Sequence, residues 1–201
     1  MRRQQKRPEA GGSTELAGQP MSGHFLWKRL KPEWIIAFLV FVLFWAVSSM
    51  YTGPAYLSDE IGYLGHAALL AGYRLDACTS WHAGYSLLLA PLFRLFSEPQ
   101  QVWQGVMVLN AGLWAASLLL LGRLVGRFFP DRALDRAVAL GIAAIYPTWL
   151  AMSGYAFSTS AMVFVFMVGA VGTLRVELRR PWSILPHALA TGFLYWIHPT
   201  G

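Results

Sequence analysis

Residues 34–50 read WIIAFLVFVLFWAVSSM, a run of seventeen residues without a charged side chain. At about 1.5 Å per residue, a helix of this length is near the minimum that crosses the roughly 30 Å hydrocarbon core of a bilayer. The rest of the chain has the same character, since 56% of its 201 residues are hydrophobic and 13% are charged. An ordinary soluble domain has about 25% charged residues. The sequence therefore predicts an all-α integral membrane protein.

Further apolar runs approach the same length. They lie at residues 102–122, 137–152, 158–174 and 183–198. Together with the first run they predict a polytopic transmembrane helical bundle of about five spans. The segment 81–96 is ambiguous as a sixth span, because it is short and contains Pro91 and Arg94.

The distribution of Lys and Arg decides whether segment 81–96 crosses, since short cytoplasmic loops collect positive charge. If the segment does not cross, 14 of the 16 Lys and Arg lie on the amino-terminal side, and Arg74 and Arg94 lie on the other. If it crosses, each side holds 8. The first arrangement predicts an amino terminus in the cytoplasm. As a separate expectation, we place the chain in a bacterial inner membrane. Residues 51–101 then form one extracytoplasmic loop.

Residues 1–33 differ from the rest of the chain. They are basic and rich in Gly, Ser, Pro and Glu, so they cannot bury enough apolar area to offset the entropy of ordering, and we predict a disordered cytoplasmic tail. Residues 34–201 form the membrane module. The net charge of +6 does not indicate nucleic-acid binding, because the basic residues fall in short clusters between apolar runs. The single cysteine, Cys78, excludes an intramolecular disulfide.

Near its start the loop carries Ser58-Asp59-Glu60-Ile61-Gly62-Tyr63, with two adjacent acids close to a predicted span. Residues 60–71 are predicted to form an amphipathic helix that lies on the membrane surface and stops at Gly72. Its apolar face is predicted to consist of Ile61, Leu64, Ala68 and Ala71. Segment 81–96 is predicted to be a second interfacial element, either re-entrant or packed against the spans.

Two interpretations of the acidic pair remain open. In the first, Ser58 caps the surface helix, and Asp59 and Glu60 complement its dipole for roughly 0.3–1 kcal/mol each. In the second, one carboxylate is a general base at a water-poor interface, and the other positions a partner or a cation. Carboxylates near hydrocarbon are usually retained for pairing or for chemistry.

The order of these features resembles the first extracytoplasmic loop of GT-C glycosyltransferases. Examples are the dolichyl-phosphate-mannose protein mannosyltransferases and the bacterial lipid A aminoarabinose transferases. The resemblance rests on Asp59-Glu60 with an aromatic residue at Tyr63, on a short helix ending in Gly72-Tyr73, and on the block from Trp81 to Phe93. The Asn110 helix, the Tyr146-Pro147 break and the turn at 153–160 are also similar. The chain departs from many relatives at Trp81-His82-Ala83-Gly84, where they carry Pro-Pro or Lys-Pro-Pro.

The resemblance implies a polytopic enzyme that moves a sugar from a polyprenyl-phosphate carrier to an acceptor glycan, lipid or protein on the outer side of the membrane. It implies Asp59 as the catalytic base, with Glu60 and Tyr63 as substrate-binding residues beside it. Relatives carry more spans than this chain. We therefore expect it to be an amino-terminal fragment of a longer enzyme, with doubtful activity on its own.

Further candidates come from the same loop. Arg74 and Arg94 are predicted to bind the donor phosphate, with snorkelling toward lipid headgroups as the alternative. His82, with His66 and His198, is a candidate for binding a cation or diphosphate. Ligand spacing predicts no metal site, although a divalent cation stays open.

Aromatic residues of the loop and spans allow two interpretations. Tyr85, like Trp81, Tyr155 and Trp196, is a candidate for stacking on a sugar, with an interfacial aromatic belt as the alternative. The rival function for the whole chain is a non-catalytic membrane protein. A transporter subunit or an assembly partner for envelope polysaccharide would be of that kind.

Overall fold

The computed structural model of the chain describes residues 31–55, 57–75, 82–174, 176 and 181–197. The chain divides into two units, Met1–Leu30 and Lys31–Gly201. The first unit lies outside the described residues, and so does the predicted tail apart from its last three residues. Regular structure in the described ranges is entirely helical, which confirms the all-α class.

The described ranges contain eight α-helices and one short 3-10 helix. In chain order they are α1 (Pro32–Ser48), α2 (Ser58–Ala71), α3 (Ala83–Leu95), α4 (Pro99–Phe128), α5 (Ala133–Ala144), α6 (Pro147–Ser153), α7 (Thr159–Thr173), the 3-10 helix (Pro181–Ile184) and α8 (Leu185–Ile197). Among them α4, with 30 residues, is long and apolar enough to cross a membrane, judged by length and composition. Helices α1, α3 and α7 are apolar but shorter.

Helix α4 is the centre of the bundle and contacts α1, α3, α5, α6 and α7. Helix α1 lies antiparallel to it. The ring of Phe44, near the end of α1, packs edge-on against Trp114 at 6.3 Å, whereas Glu33 at the start of α1 lies against Gly122. We call the two ends of the bundle the Asp59 end, where α1 finishes, and the Lys31 end, where it starts.

The remaining helices continue the alternation of direction. Helix α5 starts at the Lys31 end, where Arg136 forms an ion pair with Glu33. Helix α7 starts near the middle of α4, where the Ser160 hydroxyl donates to Asn110 at 2.7 Å. Helix α8 returns along α7, with His187 against Gly172. Five segments, α1, α4, α5 with α6, α7, and α8, therefore run side by side in alternating directions.

Helices α2 and α3 form a hairpin at the Asp59 end. Helix α3 lies beside the first third of α4, because the Tyr85 hydroxyl bonds to Asn110 at 2.9 Å and Leu92 packs against Gly105. Helix α1 ends at the level of Ser48, whose hydroxyl donates to the Ser153 carbonyl at 3.0 Å. The hairpin thus consists of helices in the two segments, 60–71 and 81–96, for which surface elements are predicted.

Two apolar clusters flank α4. One lies between α2, α3, α4, α7 and α8 and includes Tyr63, Tyr85 and Trp103. The other lies between α1, α4, α5 and α6 and includes Phe44 and Trp114. Each face of α4 thus buries its own set of side chains.

The ends of α2 test two predictions. Gly72 terminates the helix in the left-handed conformation (φ 102°), as predicted, and its N–H donates to the Leu69 carbonyl at 2.9 Å. The predicted cap at Ser58 is wrong. Leu57, with an extended backbone (φ −67°, ψ 148°), is the N-cap, and Ser58 is the first helical residue, with its hydroxyl on Asp59.

The buried face of α2 also differs from the prediction. Two residues of the predicted apolar face do pack inward: Ala68 is buried, and Leu64 lies against the core. Ile61, in contrast, is 50% exposed, and the other buried side chains are Glu60, Tyr63 and Ala67. Glu60 and Tyr63 find polar partners inside the protein, and those bonds orient the helix. Apolar spacing along α2 carries no information about such distant partners.

The predicted run 137–152 is two helices. Helix α5 ends at Ala144, and α6 starts at Pro147. Proline disfavours the helical conformation of the residue before it, and Tyr146 is extended (φ −61°, ψ 117°). Pro91, in contrast, lies inside α3 without ending it.

Candidate functional site

The adjacent acids Asp59 and Glu60 lie in the first turn of α2 and point in different directions. Successive residues of an α-helix are about 100° apart around its axis. Glu60 is completely buried (0% exposed), while Asp59 is only partly buried. The structure therefore gives the two carboxylates different surroundings.

Glu60 binds the backbone that precedes α7. The Ala156 N–H donates to its Oε1 atom at 3.0 Å. The other carboxylate oxygen, Oε2, is also buried and has no hydrogen-bond partner among the described residues. Buried carboxylates need such bonds, because removing a charge from water is costly. Glu60 thus joins α2 to residues 154–158.

Tyr63, one turn further along α2, makes a second connection to the same segment. Its hydroxyl donates to Ser158 Oγ at 3.0 Å, and its ring packs edge-on against Tyr85 at 5.2 Å. Burial raises the pKa of the Tyr63 phenol, the charge of Asp59 acts in the same direction, and the Ser158 bond opposes them. Tyr63 therefore stays protonated at neutral pH, close enough to Asp59 to respond to its charge.

Asn110 of α4 is the centre of the buried polar contacts. Its Oδ1 accepts bonds from Tyr85 at 2.9 Å and Ser160 at 2.7 Å, and its Nδ2 donates to the Tyr155 carbonyl at 2.9 Å. Sequence reasoning noticed the Asn110 helix but assigned this residue no role. The sequence feature that indicates such a role is an amide inside an apolar helix, because a buried amide requires hydrogen-bond partners.

These contacts form a set of three separate hydrogen-bond groups that join α2, α3 and α4 to residues 155–160. Its members, which we call the Glu60 network, are Glu60, Tyr63, Tyr85, Asn110, Ser158 and Ser160. A further contact, from Trp103 Nε1 to the Tyr51 carbonyl at 3.1 Å, ties the end of α1 to α4. The first turn of α2 is consequently held from several sides.

Asp59 is the accessible acid of the pair. Its Oδ1 accepts a hydrogen bond from Ser58 at 3.3 Å, a long contact that, among the described residues, leaves much of the carboxylate free for another donor. The first turn of a helix is also a favourable location for negative charge. Chemically, this arrangement suits a carboxylate that takes a proton from an incoming hydroxyl or amine.

The two predicted phosphate-binding arginines lie at the opposite end of α2. Arg94 of α3 donates to the Leu70 carbonyl at 3.0 Å, which places its charge at the negative end of the α2 dipole. Arg74 is exposed just past Gly72. Residues 59 and 70 are separated along the helix by about 16 Å. The structure does not bring these arginines next to Asp59.

His82 and Tyr85 flank the start of α3. His82 is half-buried and packs edge-on against Tyr195 of α8 at 6.1 Å. Tyr85 is completely buried in the Glu60 network, where burial raises the pKa of its phenol, so its ring offers no open face to a sugar. The candidates Trp81 and His198 lie outside the described residues.

No group of three or more His, Cys, Asp or Glu side chains in the described ranges is placed to hold a metal ion. His66 has a buried Nδ1 atom without a hydrogen-bond partner among the described residues. It lies two turns beyond Asp59 on α2, about 10 Å along the axis. The two side chains are therefore too far apart to share one ion.

Comparison with known proteins returns no matching family model, no matching curated protein and no matching solved structure. The arguments for a function therefore come from the site geometry and from the order of motifs along the chain. Within that geometry, Asp59, Glu60, Tyr63 and Tyr85 lie together. Arg74 and Arg94 form a separate group.

Proposed function

We propose that the chain is a membrane glycosyltransferase, or the amino-terminal part of one, with Asp59 as its general base. It transfers a sugar from a polyprenyl-phosphate carrier to an acceptor at the extracytoplasmic face of a bacterial plasma membrane. One observation carries the proposal. Asp59 is accessible next to a fully buried Glu60, whose bond to Ala156 holds that turn of α2 in place.

The exposed apolar side chains on the outer surface of the bundle support the proposal that lipid surrounds it. Large apolar side chains are exposed on successive helices, such as Phe38 (64%) on α1, Ile142 (65%) on α5, Phe166 on α7 and Leu189 on α8. Extended exposed apolar surface of this kind marks an interaction site, and on a bundle of apolar helices lipid is its natural partner. We propose five spans, formed by the five segments that alternate in direction.

The charges support the orientation. Among the described Lys and Arg, Arg74 and Arg94 belong to the hairpin at the Asp59 end, whereas the others lie at the Lys31 end. Those others are Lys31, Arg123, Arg127, Arg132 and Arg136. Under the positive-inside rule the Lys31 end faces the cytoplasm, and the Asp59 end faces outward.

The position of Asp59 along the length of the bundle also suits the proposed sugar transfer. Helix α1 finishes at Ser48, α7 begins at Thr159 next to Asn110, and α8 finishes at Ile197. All three boundaries lie near one level of α4, and the α2–α3 hairpin lies beside the part of α4 that extends past it. Asp59 would then be located just outside the hydrocarbon, where a lipid-linked sugar and a polar acceptor can meet.

An apolar recess adjoins the hairpin and supports a lipid-linked donor. It has a volume of about 280 Å³ between α2, α3 and α4, with Leu64, Phe93 and Trp103 in its wall. An isoprenoid chain has the matching chemistry, because burying apolar groups in such a recess is favourable. A nucleotide-sugar donor has no such apolar tail.

In the proposed reaction, Asp59 accepts the proton of an acceptor hydroxyl or amine as that atom attacks the anomeric carbon. The bond from the anomeric carbon to the carrier phosphate oxygen breaks, and the electron pair leaves with the polyprenyl phosphate. Attack from the face opposite the leaving group inverts the anomeric configuration.

The test is sugar transfer by the full-length protein reconstituted in vesicles with radiolabelled polyprenyl-phosphate sugars. Asp59→Asn should abolish transfer while leaving insertion and thermal stability intact. The matched control is Asp135→Asn, since Asp135 is an exposed first-turn acid of α5 paired with Arg132 at 3.2 Å. Full activity of Asp59→Asn would remove Asp59 from the mechanism.

A second candidate is a non-catalytic membrane protein, such as a transporter subunit or an envelope-polysaccharide assembly partner. It is favoured by the complete burial of Glu60 and Tyr85, whose polar groups hold helices together. The same vesicles distinguish the two candidates. Uptake of solute without sugar transfer supports the second, and transfer to an acceptor supports the first.

A further inference from the structure

A polar cavity lies at the Lys31 end, away from the Glu60 network. Its volume is about 470 Å³, and the residues that determine its charge are Lys31, Glu33, Arg123 and Arg136. Helix α1 separates it from the Asp59 end by 17 residues, or about 25 Å. The proposed sugar transfer makes no use of this cavity.

One of its cations is already neutralised. Arg136 Nε lies 3.2 Å from Glu33 Oε1, and both side chains are largely buried. Arg136 also donates to the carbonyl of Pro130 at 2.7 Å. This arginine is therefore anchored in the wall of the cavity through its Nε atom and one terminal nitrogen.

The other two cations are not neutralised. Lys31 and Arg123 have exposed side chains, and neither has an ionic or hydrogen-bonding side-chain partner among the described residues. With Glu33 set against Arg136, the four charged groups leave a net charge of about +2 in the wall. Two cations in the wall of one cavity make it electrostatically favourable for an anion.

The start of α1 adds to this positive field. Lys31 is its N-cap and makes no side-chain capping bond, and Pro32, Glu33 and Trp34 line the same cavity. The N-terminus of a 17-residue helix carries a partial positive charge that favours phosphate groups, although Pro32 offers no N–H and Glu33 lies in the same first turn. The helix terminus and the two unpaired cations thus point to the same class of ligand.

Apolar surface directly beside Arg123 indicates what else the ligand carries. Arg123 also lines a smaller cleft of about 180 Å³, together with Leu120, Val168 and Val171. Trp34, on the other side, is an exposed aromatic residue of the type found at membrane interfaces. A ligand with a phosphate attached to an acyl chain would place its phosphate in the cavity and its acyl chain in the cleft.

We propose that this cavity binds a phosphate-bearing anion through Lys31 and Arg123, with the headgroup of an anionic lipid as its source. Charge-assisted bonds from both side chains contact the phosphate oxygens. Glu33 keeps Arg136 in the wall. The site is distinct from the proposed sugar-transfer site, and either proposal can fail without the other.

The experiment uses the full-length protein purified in neutral detergent. Native mass spectrometry compares binding of phosphatidylglycerol and phosphatidylcholine, and calorimetry measures binding of inorganic phosphate. We expect phosphatidylglycerol to bind more tightly than phosphatidylcholine and to be displaced by excess inorganic phosphate. Binding of inorganic phosphate without the lipid would support the site and identify a soluble source. No binding of either anion, or equal binding of the two lipids, would overturn the proposal.

Variants locate the site. The double variant Lys31→Gln/Arg123→Gln should lose roughly a hundredfold in affinity, about tenfold for each charge-assisted bond removed. The matched control is Arg127→Gln/Arg132→Gln, which removes the same charge at the same end from residues outside the cavity wall. Arg123→Lys keeps the charge and should retain most of the affinity. Equal losses in the two double variants would overturn the assignment, and the wild-type displacement experiment decides the matter if the cavity variant does not fold.

Discussion

The Oε1 atom of Glu60 lies 3.0 Å from the backbone nitrogen of Ala156, although 96 residues separate the two in sequence. This bond joins the first turn of α2 to the segment that leads into α7. It also turns Glu60 inward, so that its neighbour Asp59 remains accessible. The arrangement of the proposed site depends on this pair.

Glu60→Ala should destabilise the protein by about 1–3 kcal/mol, because the Ala156 N–H would stay buried without its acceptor. Glu60→Gln keeps an acceptor oxygen and should lose much less. Thermal unfolding of the purified protein measures both. Asp59→Ala serves as the control and should leave the melting temperature nearly unchanged. Equal stability of Glu60→Ala and wild type would contradict the role of this bond.

Asn110→Ala should destabilise the protein more than the loss of a single hydrogen bond would. It leaves Tyr85, Ser160 and the Tyr155 carbonyl without their common partner, at about 1–3 kcal/mol for each buried group that stays unpaired. Ser117→Ala is the matched control on the same helix, since within the described part of the chain the Ser117 hydroxyl bonds only to the local Leu113 carbonyl at 2.7 Å. Denaturant unfolding should separate the two variants clearly. Similar losses of unfolding free energy in the two variants would contradict the central role of Asn110 in the buried polar contacts.

Tyr63 and Tyr85 predict a specific dependence on pH. Burial raises the pKa of both phenols above the ordinary value near 10. As the pH rises, the unfolded chain therefore loses these two phenol protons at a lower pH than the folded state does. Their contribution to stability is therefore full below about pH 10 and falls as the pH rises above it. Tyrosinate absorbance should show late-titrating phenols in the wild type, and one fewer in Tyr63→Phe and in Tyr85→Phe. Titration of all tyrosines near pH 10 would contradict the burial of these two.

Gly84→Ala should disturb the contact between α3 and α8. An added Cβ would lie 2.8 Å from the Trp196 carbonyl carbon, a backbone atom that cannot rotate away. Gly112→Ala, in the interior of α4, has no atom within 4 Å of the new Cβ and should be neutral or stabilising by up to about 1 kcal/mol. The difference between their melting temperatures measures the closeness of the packing. A Gly84→Ala variant as stable as Gly112→Ala would be inconsistent with it.

The proposed orientation predicts which residues an impermeant thiol reagent can reach in intact cells. With Cys78 replaced by Ser, Asp59→Cys should be labelled from outside. Arg132→Cys, at the Lys31 end, should be labelled only after the membrane is opened. The reverse pattern would place the acidic pair in the cytosol and end the proposal for sugar transfer.

Local properties of this chain were predictable because neighbouring residues determine them. The lack of charge in residues 34–50 predicts an apolar helix, and α1 spans Pro32–Ser48. Gly72 ends α2 as expected, since glycine tolerates the left-handed conformation of a helix terminus. The all-α class follows from many such segments.

The partners and burial of the polar residues depend on the tertiary structure. The sequence by itself identified Asp59 and Glu60 as an unusual pair, but their different burial depends on Ala156, which the chain brings near only when α7 packs against α4. Similarly, Asn110 acquires its role through three partners on other elements, and Arg94 through the end of α2. Apolar periodicity encodes which side of a helix avoids water. A hydrogen bond between residues far apart in sequence has no local pattern, so only the folded chain defines it.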